Sequence, residues 1–133
     1  MKIEGELIRL NKNQSEVYQF LNTLENYSLI MPESNKVFEI LDENRFKFGL
    51  KGMPEIVLKL IEGNNDMDTI VLSSDNDKFP FTLSGLLQSI SDHETQVQLV
   101  FEGDFNPMME MMIKSPLTAF VNDLSKGISL KLA

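Results

Sequence analysis

The chain of 133 residues contains no cysteine, no tryptophan and a single histidine. Without thiols it can form no disulfide, no thiolate nucleophile and no cysteine-ligated metal site, and a reducing compartment is permitted. With His93 alone, a zinc site would have to be built almost wholly from carboxylates, an uncommon arrangement. No metal site is therefore expected. Nor is there a Gly-x-Gly-x-x-Gly fingerprint, a Walker loop or a Gly-x-Ser-x-Gly elbow, so phosphate cradling and serine-hydrolase chemistry lack their usual carriers. No cofactor is expected either.

Basic residues are also scarce: 12 Lys and Arg stand against 20 Asp and Glu, a formal net charge of −8. Nucleic acids and anionic membranes are bound by clustered cations facing phosphates. The lysines and arginines here are scattered, so no nucleic-acid partner is expected. No apolar run approaches the roughly 20 residues that span a bilayer, and Glu4 and Glu6 fall where a signal peptide would have its apolar stretch. A cytoplasmic protein without stable membrane insertion is the expectation, and the sequons at Asn13 and Asn26 then carry no sugar. There is no Pro/Gly/Ser-rich linker and no internal repeat. Residues 1–133 read as a single domain, long enough to bury about two thirds of its unfolded surface.

What is present is a succession of strand patterns closed by one long helix. Residues 2–10 read as a first strand. Ser15 opens a short helix with Val17, Phe20, Leu21 and Leu24 at helical spacing, and a second helical turn over Tyr27 to Met31 is stopped by Pro32. Six strands follow at about 36–41, 45–51, 54–62, 67–74, 79–90 and 95–105, separated by turn-forming clusters. Val97, Leu99, Phe101 and Phe105 alternate with Gln96, Gln98 and Glu102, which gives the sheet one wet face. On its covered face the same alternation sets Phe46, Phe48 and Leu50, then Ile56, Leu58 and Leu60, then Ile70 and Leu72, then Phe79, Phe81 and Leu83. Short connections make the neighbours antiparallel.

Asn106 and Pro107 suit the cap and first position of the last helix, in which Met109, Met112, Ile113, Leu117, Phe120, Val121, Leu124 and Ile128 keep a 3.6-residue period. One helix over a wide curved sheet tends to leave an apolar space between them. Pro116 should bend the helix to follow the sheet. Met108 and Met111 lie off the apolar stripe and suit a pocket lip or a self-association patch. Met108–Met112 as a thioether copper(I) site has little support. The run Asn64 to Asp68 lacks the glycine and terminal glutamate of a calcium loop and reads as a hairpin turn. Glu33, Glu39 and Glu55 are candidate acids, and Tyr18, Tyr27, Arg45, Ser84 and Gln88 candidate orienting groups; none forms a catalytic pattern.

The element order, a strand, two short helices, six antiparallel strands and a long C-terminal helix, resembles the helix-grip fold of the START and SRPBCC superfamily. Lys51-Gly52-Met53, paired with Asp104-Phe105-Asn106-Pro107-Met108-Met109 at the start of the last helix, looks like a group of small bacterial SRPBCC proteins of unassigned function. The resemblance implies an α+β fold, with a seven-stranded curved antiparallel sheet wrapped around the helix. It also implies a cavity that in the family holds lipids, hormones or polyketides, and that in some members catalyses cyclisation or dehydration. No catalytic residue is carried over, and Asp42-Glu43-Asn44 stands where pollen allergens have a glycine-rich loop.

The expected function is noncatalytic binding of a small hydrophobic molecule, as carrier or sequestering agent. The expected lining is Phe46, Phe48, Ile56, Leu58, Phe81, Leu83, Leu99, Phe101, Met109, Met112, Ile113 and Phe120. A cyclase or dehydratase using polar cavity residues is one alternative. The other is a protein-interaction module or homodimer built on the exposed helix face, with the core filled.

Overall fold

In the computed structural model, residues 1–32, 35–50, 53–62, 66–77 and 79–132 are described, Lys36 by its backbone alone. The strands are β1 (Lys2–Glu4), β2 (Ile8–Leu10), β3 (Asn35–Ile40), β4 (Arg45–Leu50), β5 (Ile56–Leu60), β6 (Thr69–Ser74), β7 (Phe81–Ser91) and β8 (Glu94–Gly103). The helices are α1 (Gln14–Leu21), α2 (Tyr27–Ile30) and α3 (Pro107–Lys131), with a 3-10 turn at Leu24–Asn26 leading into α2. All strands join one antiparallel sheet in the order β1-β8-β7-β6-β5-β4-β3, with β2 also paired to β8. Lys51, Gly52, Glu33 and residues 63–65, where a turn is expected, lie outside the described residues.

The strand expected over residues 2–10 is divided, so seven sheet positions hold eight strands. Gly5 marks the break: its N–H donates to the Leu99 carbonyl at 2.7 Å, and the Gln98 side chain donates to its carbonyl at 3.1 Å. A Cβ there would stand 3.0 Å from both Ser125 Oγ and Val121 Cγ1 of α3. Glycine thus lets the helix pass close over the broken edge strand.

Helix α1 starts one residue before the expected Ser15 because Asn13 supplies the cap, its Oδ1 accepting from the Glu16 N–H at 2.9 Å. Asn106 does the same for α3, accepting from the Met109 N–H at 2.8 Å, with Pro107 at the first position. Helix α3 continues through Pro116 to Lys131. The proline cannot donate to the Met112 carbonyl, and Met112 is exposed to water that can hydrate it.

One face of α3 packs on the sheet through Ile113, Leu117, Phe120, Val121, Leu124 and Ile128, all buried. The facing strand residues Phe46, Phe48, Leu50, Ile56, Leu58, Ile70, Leu72, Phe81, Leu83, Val97, Leu99 and Phe101 are buried as the alternation requires. Leu60, Phe79 and Phe105 are half-buried at its margin. Two buried polar side chains are satisfied locally: Thr95 Oγ1 donates to the Lys12 carbonyl at 2.8 Å, and Ser125 Oγ to the Val121 carbonyl at 2.9 Å.

Candidate functional site

The aromatic end of the space between α3 and the sheet is filled. Phe48 stacks on Phe120 of the helix with centroids 5.0 Å apart and planes 9° from parallel. Phe46 stacks on Tyr27 at 5.3 Å and on Phe38 at 5.2 Å. Phe81 and Phe101 stack at 4.8 Å. Ile56, Leu58 and Ile113 are buried in the same core. Ring contacts of this kind add to area burial.

Two expected lining residues lie away from the enclosed core, one at its margin and one outward. Met109 is half-buried and borders, with Pro54, Ile56 and Phe79, a surface groove of about 390 Å³. Met112 is 72% exposed, contrary to its expected place on the apolar stripe. At 3.6 residues per turn it falls about 130° from the centre of the buried stripe. Met108 and Met111, expected off the stripe, are 74% and 85% exposed.

An enclosed space does exist, nearer the C-terminal half of α3. It measures about 20 Å³ and is walled by Leu21 of α1, Tyr27 and Ile30 of α2, Ile70 and Leu72 of β6, Leu83, Ser84 and Gly85 of β7, Leu99 of β8, and Leu124 and Ile128 of α3. Of the expected lining only Leu83 and Leu99 border it. Gly85 explains its position. Inward residues of β7 run Phe81, Leu83, Gly85, Leu87, all buried, so one side chain is missing from the covered face. A Cβ at Gly85 would meet Leu99 Cδ2 at 3.6 Å, Leu21 Cδ1 at 3.8 Å and Ile70 Cβ at 3.9 Å, ordinary van der Waals contacts. The void is the volume that the absent side chain leaves. It is about one water in size, and such a void with apolar walls stays dry.

Tyr27 brings the phenol to this wall. Its ring is 4% exposed, and its hydroxyl donates to the Leu21 carbonyl at 2.5 Å. Burial pushes the phenol well above its ordinary range, so it is a neutral donor with a remaining lone pair. Ser84, a second candidate orienting group, also borders the space from β7; the other described candidates are elsewhere. Arg45 is ion-paired to Asp42 at 2.7 Å and Asp75 at 3.0 Å, which holds the Asp42 carboxyl below its usual range. Glu39 and Glu55 share Lys47 at 3.3 and 3.7 Å, with both carboxylates exposed. Gln88 is exposed and accepts from Gln96, and His93 sits in the exposed β7–β8 turn. Tyr18 is half-buried and packs against the core from α1.

Sequence reasoning named Tyr27 and Ser84 as orienting groups and placed Ile70, Leu72, Leu124 and Ile128 on the covered faces. Gly85, Leu21 and Ile30 were missed as wall residues. The readable signal was the glycine at an inward position of an otherwise large-residue strand.

No family model and no curated protein matches the chain. Solved structures do. A START superfamily protein from Mycobacterium smegmatis superposes with a TM-score of 0.69 at 12% identity, over 98% of this chain and 96% of that one. Norcoclaurine synthase from Thalictrum flavum, in complex with dopamine and hydroxybenzaldehyde, gives 0.71 at 11% identity, covering 100% and 88%. A protein from Thermus thermophilus gives 0.73 at 13% identity, covering 99% and 97%. At these identities the likeness shows the fold: a curved antiparallel sheet gripping a long C-terminal helix.

Proposed function

We propose that the protein binds a small, mainly hydrophobic molecule between the sheet and α3, at the position vacated by the Gly85 side chain. The observation that carries this reading is the enclosed apolar space at Gly85, with the neutral phenol of Tyr27 in its wall. That a norcoclaurine synthase of the same fold is found in complex with dopamine and hydroxybenzaldehyde supports a ligand-binding role. A void of about 20 Å³ admits no such molecule without movement, so occupancy requires the surrounding elements to part. Apolar burial at about 25 cal/mol per Å² supplies the drive, and Tyr27 sets orientation through its free lone pair.

The test is native mass spectrometry of gently purified protein beside the Gly85→Val variant, whose folding is checked by thermal melting. A bound mass present in the wild type, removed by organic extraction and missing from the variant supports the reading. A bound mass retained in the variant counts against this location.

Two other readings are weighed by the same geometry. A cyclase or dehydratase needs a group that titrates usefully at the cavity; Tyr27, held neutral by burial, suits hydrogen bonding better than general-base work. Self-association has the outward thioethers of Met108, Met111 and Met112 in its favour. Sedimentation at rising concentration separates it from the carrier reading: a mass that doubles, and that Met111→Glu restores to that of the monomer, would favour the dimer.

A further inference from the structure

Outside the enclosed void lies a second hollow, an open groove of about 420 Å³ between α2 and the last turns of α3. One wall is Leu29, Ile30, Met31 and Pro32; the other includes Gly127 and Leu130. Ile30 borders both this groove and the inner void, so the two adjoin at this residue. Leu29 and Leu130 leave the outer groove with apolar rims, 51% and 81% exposed.

The element that carries Ile30 is suited to yield. Helix α2 is a single turn of four residues, ended by an extended Met31 before Pro32. Its approach to α3 depends on Gly127, where a Cβ would stand 2.7 Å from the Ile30 carbonyl oxygen and 3.0 Å from its Cα. At Gly127 the helix backbone itself meets Ile30, the Ile30 Cβ included, with no side chain from that position of α3. Displacing α2 sideways exposes the void to the groove, and the movement has to be taken up by the Tyr27 stack on Phe46 and its hydrogen bond to Leu21.

The charges of the groove indicate what fits it. Lys126 and Lys131 stand on the α3 wall with Asp123. Neither lysine has an ion-pair partner among the described residues. Lys131 also complements the negative end of the helix; Lys126, more than a turn earlier, has no such role. In a chain of net charge −8 a groove whose side chains carry two cations and one anion is a local reversal of sign.

We propose that this groove is the port of the cavity and the seat of a carboxylate head: a small amphipathic carboxylate enters past Ile30, its tail at Gly85 and its head on Lys126. The inference rests on the cavity reading above and adds to it the route and the ligand class.

Decanoate and decan-1-ol are titrated by calorimetry against the wild type, Lys126→Glu and Gly85→Val. Lys126→Glu should weaken decanoate about fivefold, as expected for an exposed ion pair replaced by a repulsion, and leave decan-1-ol within about twofold. Gly85→Val should weaken both. Decanoate binding unchanged by Lys126→Glu, or absent while decan-1-ol binds, overturns the port and its head-group seat and leaves the cavity reading standing. Decanoate weakened by Lys126→Glu but untouched by Gly85→Val puts the whole ligand in the groove, which overturns the cavity reading instead. Binding of neither probe overturns both.

Discussion

At the scale of single residues, the void turns on Gly85. Its backbone lies outside the left-handed region and its hypothetical Cβ makes only ordinary contacts, so alanine is compatible with both conformation and space. Gly85→Ala should raise stability by about 1 kcal/mol, by reducing unfolded-state freedom and filling part of the void. A urea denaturation midpoint that falls would show that the space is already committed. Tyr27 acts through ionisation. Burial raises its folded pKa above the ordinary 10.0, so the unfolded chain loses the proton first. Its contribution is full below pH 10 and is lost as pH rises from there toward the folded value. Tyr27→Phe should flatten that alkaline limb in denaturation series run on either side of pH 10. At neutral pH the same change removes the donor to the Leu21 carbonyl, at a cost of about 1–3 kcal/mol.

At the scale of elements, the critical contact is between α2 and α3. Alanine at Gly127 gains up to about 1 kcal/mol of helix propensity. Against that stands a Cβ placed 2.7 Å from backbone oxygen, where a flexible side chain cannot give way. Overpacking of this kind costs about 1–3 kcal/mol, so Gly127→Ala should lower the melting temperature while circular dichroism keeps its helical signal. An unchanged melt would mean that α2 already rides free of α3. This contact was illegible in the sequence, because Gly127 reads there only as a weak helix former. The strands and the cap of α3 were legible: alternation at Val97, Leu99 and Phe101 gave the buried face, and Asn106-Pro107 gave the start of the helix. Two details of the same elements were not. The break at Gly5 follows from the approach of Ser125 and Val121 across more than a hundred residues. Met112 reads as periodic with Met109 through its i, i+3 spacing, but it lies further from the stripe's centre than Met109 and falls on the exposed face.

For the whole molecule, the division of the space under α3 matters most. Sequence patterns identify which faces meet, but the distance between them depends on how large side chains on opposite faces pair. Phe48 meets Phe120 face to face, so the end expected to be hollow is filled. Gly85 meets no side chain of matching size, and the void lies there instead. Moving the hollow should therefore be a matter of side-chain volume. Phe120→Ala removes a buried ring stacked between helix and sheet and should cost about 3–5 kcal/mol. If the backbone holds, it should also open an apolar cavity beside Phe48 that stays dry and takes up benzene, as engineered apolar cavities do. Saturation with benzene at about a hundred times its dissociation constant would return roughly 2.7 kcal/mol to the variant, read as a rise in its melting temperature and absent in the wild type. Collapse of the site would show as a smaller loss of stability and no response to benzene. That result would mean that α3 follows the volume beneath it, and then the small void at Gly85 would also be held open by packing around it rather than by a rigid span of the helix.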